Sequence, residues 1–199
     1  MSEARKPALG RLAVLAVLVW GAHAMEVLVR GRPVELLWMC NVAGLVLAIG
    51  CAMRRAELVG IATSFLALGT PLWIGDLLAG GELYPTSVFS HWGGLAIGAA
   101  ASRELGWDRH AWWRSTLSLL TLVIVTRQVP SAGAGNVNLA FSVWPGWEDL
   151  FPTYPSYFVF LFLACTAVFI AVTTLARWLL ARTRGQAGAR PSEAALDRE

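Results

Sequence analysis

The chain has 199 residues, of which 56% are hydrophobic and 15% are charged, and its formal net charge is +3. Soluble domains carry about a quarter charged residues, so this composition excludes an ordinary soluble domain, and the abundance of aliphatic and aromatic side chains excludes a disordered chain. Three cysteines far apart in sequence exclude a disulfide scaffold, and arginines scattered without a basic patch exclude an ordinary nucleic-acid-binding protein.

Apolar stretches long enough to cross a membrane recur along the chain. A spanning helix needs about 20 mostly apolar residues, and six stretches approach or reach that length. They predict an all-α, polytopic membrane protein in which a single domain, residues 1–183, forms a bundle of six transmembrane helices. In chain order the predicted helices comprise residues 11–29, 35–53, 57–78, 86–102, 111–130 and 156–181.

The first predicted helix shares some features with a secretory signal peptide. Basic residues precede its apolar run, and Ala22-His23-Ala24 offers small residues where a signal peptidase would cleave. The apolar run continues beyond this site through Val27 and Leu28. We therefore favour an uncleaved membrane anchor over a cleaved signal peptide.

Two segments lie outside the predicted helices. Residues 131–155, between the last two helices, are rich in Gly, Pro, Asn and Trp and predict an ordered outer loop. Residues 184–199 contain glycine, proline and charges of both signs, a composition that predicts a disordered cytoplasmic tail.

The positive charges predict how the bundle is oriented. Cytoplasmic loops of membrane proteins are enriched in Lys and Arg. If six helices start from a cytoplasmic N-terminus, all of the 16 Lys and Arg residues except Arg30, Arg32 and Arg127 lie on the cytoplasmic side. This bias predicts that both termini are inside (N-in/C-in), and that the chain is a multi-pass integral protein of the plasma membrane.

The same topology brings most of the potentially reactive polar residues to one level, in the outer half of the membrane. Ionisable groups inside a bilayer are costly and usually mark a functional site. The sequence therefore predicts a polar pocket at this level. Its candidate residues are His23, Glu26, Cys40, Asn41, Asp76, Ser90, His91, Arg127 and Asn138.

Cys40 and His91 have the clearest chemistry within this group. Cys40 shares a helix face with Gly44, and His91 shares one with Gly98, so small residues direct both faces towards other helices. An imidazole beside a thiol can take its proton and generate the thiolate, which is the attacking species in acyl transfer. This pair predicts a cysteine-dependent site.

Neighbouring polar groups would assist such a reaction. Asn41, Asn138 or Arg127 could stabilise the oxyanion of a tetrahedral intermediate or hold a lipid headgroup. The leading hypothesis is an acyltransferase or ester hydrolase that acts on membrane lipids, without a cofactor, a metal or a nucleic-acid partner. The oligomeric state stays open, and a homo-oligomer is among the alternatives.

Other interpretations of the same residues stay open at this stage. Buried cysteines and histidines also serve in packing and in hydrogen bonds between helices. A metal-dependent hydrolase is a second hypothesis, because His23 and Glu26 share a helix face. The further ligands of such a site would be Cys40, Asp76 and His91. A transporter subunit or membrane assembly partner without enzymatic activity is a third hypothesis.

Short motifs, in their order and spacing, resemble those of the YwaF-like integral membrane proteins. Together they cover about residues 35–160 of the chain. The motifs are Trp38-Met39-Cys40-Asn41, Thr70-Pro71 with Asp76-Leu77, Ser90-His91, Asn138-Leu139-Ala140-Phe141, and the stretch 152–157.

The resemblance implies an activity as well as a fold. The YwaF-like proteins are similar to a eukaryotic transmembrane acyltransferase that forms polyunsaturated ether phospholipids through a catalytic cysteine. They are more distantly similar to androgen-induced membrane hydrolases of fatty-acid esters, which form six-helix bundles. By this resemblance Cys40 matches the nucleophile and His91 its partner. Other polar positions of the family match Asn41, Asp76 and Asn138.

Overall fold

The computed structural model describes residues 5–188, with side chains for residues 8–183 apart from Pro130. The described residues form helices, turns and loops and contain no strand, so the all-α prediction is confirmed. In chain order the helices are α1 (Arg5–Val29), α2 (Met39–Met53), α3 (Ala56–Leu78), α4 (Pro85–Val88), α5 (Gly94–Leu105), α6 (Ala111–Arg127) and α7 (Tyr154–Gly188).

Among the described residues, three helices are long and apolar enough to cross a membrane. Their spans are Ala8–Val29, Ala56–Leu78 and Tyr154–Thr183, while α2 is apolar but shorter. Of the most apolar window in each span, 56% is buried in α3 and only 17% in α7. The chain is therefore built as a membrane protein in which α3 is the central helix and α7 exposes a large apolar surface.

The faces predicted to contact other helices do so. A Cβ atom at Gly44 of α2 would collide with the Trp20 side chain of α1, and one at Gly98 of α5 would collide with Thr63 of α3. Such close approach between helices requires small residues at the contact. The prediction that these two faces are directed towards protein is confirmed.

A tight turn joins α2 to α3 and makes them antiparallel. Arg54 adopts a left-handed conformation with φ 55°, and the N–H groups of Arg54 and Arg55 bond to the carbonyl groups of Cys51 and Gly50. These bonds satisfy carbonyl groups at the end of α2 and stop the helix. The N-terminus of α2 consequently lies beside the C-terminal part of α3.

The fourth predicted helix is interrupted by a change of helical pitch. α4, a π-helical turn (Phe89–Gly93) and α5 follow one another without a break. A π-helical turn adds a residue to the helical repeat and is frequent at functional sites. His91 lies in the middle of this turn.

Several observed boundaries differ from the predicted ones: α1 begins earlier, at Arg5, α5 ends later, at Leu105, and α6 ends earlier, at Arg127. Two further differences have a clear physical reason. α2 begins at Met39 rather than at Glu35, because a 3₁₀ turn, Pro33–Leu37, precedes it and Trp38 between them is extended. α7 continues to Gly188, into the stretch predicted as a tail, because no proline interrupts its hydrogen bonds before Pro191. The rest of that predicted tail, 189–199, lies outside the described residues.

The predicted outer loop folds over one end of the helices. It contains two 3₁₀ turns, Pro130–Gly133 and Val137–Leu139, and it ends where α7 begins. Tyr154, the first residue of α7, donates a hydrogen bond from its hydroxyl to the carbonyl of Leu139. The loop is therefore tied to the helix that follows it.

Candidate functional site

A cavity of about 650 Å³ lies among the C-terminal end of α1, the N-terminal end of α2, and parts of α3, α6 and α7. Its volume is within the range of small-molecule sites, about 300–1,000 Å³. Of the nine candidate site residues, Glu26, Ser90 and Arg127 are not among those that line it. The other six line the cavity: His23, Cys40, Asn41, Asp76, His91 and Asn138.

Cys40 is the second residue of α2 and is half-buried in the cavity wall. The N-terminus of a helix favours negative charge, because its first N–H groups are not bonded within the helix. These N–H groups favour a thiolate, whereas burial disfavours it, so Cys40 needs a base that takes the thiol proton. Of the other two cysteines, Cys51 is buried in the core, and Cys165 lines the apolar part of the cavity.

One ring nitrogen of His91 forms a hydrogen bond, and the other forms none with the described residues. Its Nδ1 lies 2.8 Å from the carbonyl oxygen of Ser87. A carbonyl oxygen only accepts hydrogen bonds, so Nδ1 carries the proton and Nε2 carries the lone pair. Nε2 is buried and has no hydrogen-bond partner in the described part of the chain. The neutral ring is therefore set to accept a proton at Nε2.

The His91 ring is also fixed in orientation. It stacks on the indole of Trp73 from α3, with ring centroids 4.5 Å apart and planes 11° apart, and the residue is only 2% exposed. The stacking and the Ser87 bond together leave the ring little freedom. A base restrained in this way needs little reorganisation when it takes a proton.

A second histidine, His23, lies at the end of a chain of hydrogen bonds. Thr86 Oγ1 bonds to Glu26 Oε2 and lies 2.8 Å from His23 Nδ1. A carboxylate only accepts, so the single hydroxyl proton goes to Glu26 and the hydroxyl oxygen accepts from His23 Nδ1–H. The order Glu26, Thr86, His23 therefore leaves the lone pair of His23 on Nε2.

Charged residues form a network of ion pairs at the rim of the cavity. Arg30 pairs with Glu26 and Glu82, and Arg32 pairs with Glu35 and Glu82. Exposed pairs of this kind each contribute little to stability, on the order of 0–1 kcal/mol. Their role here is to hold the end of α1 against the segment that precedes α4.

Tyr84 connects the rim network to the cavity. Its hydroxyl accepts from Arg32 at 2.9 Å and donates to Glu35 at 3.0 Å. Burial and the hydrogen bond to Glu35 raise the pKa of the Tyr84 phenol, so it stays protonated as a donor at neutral pH. Sequence reasoning missed Glu82 and Tyr84, in the short segment between two predicted helices, and Thr86, the first residue of the fourth predicted helix. Neither position gives a signal of its partners.

Asn138 is saturated by the hydrogen bonds that it makes. Its Oδ1 accepts from the backbone N–H of Met39 at 2.8 Å, and its Nδ2 donates to the Leu37 carbonyl and to Thr126 Oγ1. Its backbone is left-handed, with φ 56°, which Asn tolerates better than most residues. Asn138 thus fastens the long loop to the start of α2, one residue before Cys40.

Arg127 lies with the loop rather than in the cavity wall. Its Nε donates to the Ala140 carbonyl at 2.6 Å, and its guanidinium stands 4.7 Å from the centre of the Tyr154 ring. These contacts join the end of α6 to the loop and to the start of α7. The observed role is to hold the loop.

Replacing Arg127 with glutamine is expected to lower the free energy of unfolding by about 2 kcal/mol, because a hydrogen bond from a charged donor contributes about 1.5–3 kcal/mol. Unfolding in detergent micelles measures this loss. Arg182→Gln is the matched control: Arg182 stands over the exposed Trp178 ring, and its loss should cost less than about 1 kcal/mol. Equal losses in the two variants would contradict this role of Arg127.

The remainder of the cavity wall is apolar. It is contributed by α3, α6 and α7, on the side away from the rim. The cavity is therefore amphipathic, with charged and polar side chains on one part of its wall and hydrocarbon side chains on another. The apolar lining residues include Leu68, Leu119, Leu120, Val123, Phe158, Leu161, Phe162 and Cys165.

Comparisons of the chain with protein-family models, with curated proteins and with solved structures give no match. Within residues 5–188, no group of three or more His, Cys, Asp and Glu side chains is arranged to hold a metal ion. The geometry of the site's own residues is therefore what indicates its chemistry.

Proposed function

We propose that this protein is an integral membrane enzyme that transfers or hydrolyses the acyl group of lipid esters, with Cys40 as nucleophile and His91 as general base. One observation carries the proposal. His91 has a fixed tautomer and a buried, unpartnered Nε2, and it lines the same cavity as the cysteine at the start of α2. A thiol and a base with a free lone pair in the wall of one cavity supply the two groups that nucleophilic catalysis needs.

In the proposed reaction, Cys40 Sγ attacks the ester carbonyl and its proton passes to His91 Nε2. A C–S bond forms, the C–O bond to the leaving alcohol breaks, and His91 returns the proton to the departing oxygen. The products are a thioester on Cys40 and a free alcohol. Water or a second hydroxyl compound then takes the acyl group from the thioester.

Among the donors suggested for the oxyanion, Asn41 is the best supported. Its Nδ2 has two hydrogens, and one of them bonds to the Glu35 carbonyl at 2.7 Å, which leaves the other for the oxyanion. Asn138 uses both of its Nδ2 hydrogens on the protein, and Arg127 is not among the residues that line the cavity. We propose that Asn41, together with the N–H groups at the start of α2, stabilises the tetrahedral intermediate.

Lipid esters are the proposed substrates because the cavity is amphipathic. The apolar wall between α3, α6 and α7 suits an acyl chain, and the charged rim suits a headgroup. We further propose six crossings of the plasma membrane with both termini in the cytoplasm, for which the distribution of Lys and Arg is the support. In this topology the cavity faces the outer leaflet.

The alternatives have less support. A metal-dependent hydrolase would need a ligand cluster, and the described residues contain none. No contact in the described part of the chain specifically favours a transporter or an assembly partner. The same experiment separates all three, because only the cysteine enzyme forms a covalent acyl intermediate without added metal.

The test uses the purified protein in detergent micelles with p-nitrophenyl dodecanoate and a metal chelator. We expect a burst of p-nitrophenolate, approaching one equivalent of enzyme, before the steady state, as the acyl-enzyme accumulates. Mass spectrometry of the quenched protein should find the dodecanoyl group on Cys40. A protein that releases no burst, or that carries the group on Cys51 or Cys165 instead, would contradict the proposal.

A further inference from the structure

We propose that His23 is a second acid–base catalyst of this site, which activates the hydroxyl group of the acyl acceptor. This inference rests on the proposed function. It assigns separate steps to the two histidines of the cavity: His91 serves the formation of the Cys40 thioester, and His23 serves its consumption.

The hydrogen-bond chain behind His23 is that of an oriented base. Glu26 accepts from both the hydroxyl and the backbone N–H of Thr86, the latter at 3.2 Å, and Arg30 Nη2 holds the Glu26 carboxylate at 2.9 Å. Thr86 in turn accepts from His23 Nδ1–H. A carboxylate that fixes a histidine tautomer from behind is the usual way to direct the other nitrogen at a reacting proton.

The His23 ring also lies beside a polar side chain of the cavity wall. His23 is 4% exposed and lines the cavity, and the Asn41 side chain lies beside its ring. Asn41 Oδ1 is buried without a hydrogen-bond partner. When His23 takes a proton at Nε2, this oxygen can accept the new N–H, which gives the unpartnered atom a role in the reaction.

A purely structural link between α1 and α4 would need only the Nδ1 side of the ring. A residue without a second ring nitrogen would satisfy that link equally well. The two histidines also stand on different elements and have different partners. His91 is fixed by Ser87 and Trp73, whereas His23 is fixed by Thr86 and Glu26. They can therefore change protonation in different steps of one cycle.

The step assigned to His23 balances without a further reactant. The acceptor hydroxyl attacks the Cys40 thioester carbonyl and loses its proton to His23 Nε2. A C–O bond forms, the C–S bond breaks, and the proton returns from His23 to the Cys40 thiolate. The net reaction exchanges the acyl group between two hydroxyl compounds and involves no oxidation or reduction.

The test measures the two steps separately, with p-nitrophenyl dodecanoate as donor and dodecan-1-ol as acceptor in micelles. His23→Gln should slow the burst by a much smaller factor than it slows transfer to dodecan-1-ol, because His91 still serves acylation. It should lower formation of dodecyl dodecanoate by a factor of about 100 or more, as expected for loss of a general base. The dodecanoyl group should then persist on Cys40.

Thr86 supplies a matched pair that tests the positioning of His23 without removing the ring. Thr86→Val keeps the shape but removes the hydroxyl, and it should lower transfer to dodecan-1-ol by about tenfold. Thr86→Ser keeps the hydroxyl and should restore transfer to within about twofold. A role confined to packing would instead make valine the better replacement.

The outcomes distinguish failure of this inference from failure of the proposed function. Normal transfer in both His23→Gln and Thr86→Val, or an equal fall of burst and transfer in His23→Gln, would overturn the role of His23 and leave the Cys40 intermediate in place. Absence of any burst in the unaltered protein would overturn the proposed function and the role of His23 with it.

Discussion

Replacing Cys40 with alanine is expected to abolish the p-nitrophenolate burst and to lower steady-state ester turnover by a factor on the order of 10⁴. The reason is that no thioester can form without the Cys40 sulfur, while the remaining groups can only stabilise direct attack by water. Stopped-flow release of p-nitrophenolate measures both quantities. Unfolding in detergent should show that the variant stays folded, since Cys40 is half-buried in a cavity wall.

The two other cysteines provide the controls. Cys165→Ala removes a thiol from the apolar wall of the same cavity, and Cys51→Ala removes one from the core. Both variants should keep the burst, although Cys51→Ala should lose stability because the residue is 1% exposed. A full burst in Cys40→Ala, or its loss in Cys165→Ala, would show that Cys40 is not the nucleophile.

Much of the helical framework could be predicted from the sequence because apolar stretches of sufficient length leave few alternatives in a membrane. The all-α class and the chain positions of the long helices are confirmed, and three helices among the described residues can span a membrane. The number of crossings and their orientation stay predictions. No sequence pattern indicates the π-helical turn at His91, and the close approach of Gly94, just after this turn, to Leu66 of α3 exists only in the folded chain.

The candidate site was predictable only as far as the positions of its residues along antiparallel helices determine it. His23, Cys40 and His91 line one cavity because helices of opposite direction bring these positions to the same level. Partners that depend on a folded loop could not be read from the sequence. Arg30 and Arg32 contribute only to the predicted orientation, yet in the structure they form ion pairs with Glu82 at the rim.

The assignment of Asn138 shows the same limit. Its residue type and position predict a donor for the substrate. In the structure, however, both Nδ2 hydrogens and the Oδ1 atom already bond to groups of the protein. The three groups that it bonds belong to Leu37, Met39 and Thr126, which are distant from it in sequence or lie on another element. Only the closed conformation of the loop brings them together. A polar residue in a membrane protein therefore indicates a site only if some of its hydrogen-bonding groups are not already used within the protein.

Asn138→Ala is expected to lower the free energy of unfolding by about 4 kcal/mol. Each buried group left without its partner costs about 1–3 kcal/mol, and alanine adds a penalty of roughly 1–2 kcal/mol in the left-handed conformation. The acylation burst should also slow by a factor of about 10–100, since small displacements of a reacting group carry costs of that size. The displaced group here is Cys40, because Asn138 holds the N–H of the preceding residue, Met39.

Two replacements separate the contributions of Asn138. Asn138→Gly keeps the left-handed backbone accessible and should lose about 1–2 kcal/mol less than Asn138→Ala, with the same slowing of the burst. Asn136→Gly is the control within the loop, because Asn136 is also left-handed but its side chain bonds, among the described residues, only to the backbone of Phe141 and Ser142. It should leave the burst unchanged. If Asn138→Ala were as stable as the unaltered protein, or slowed the burst no more than Asn136→Gly, the loop would not be what positions Cys40.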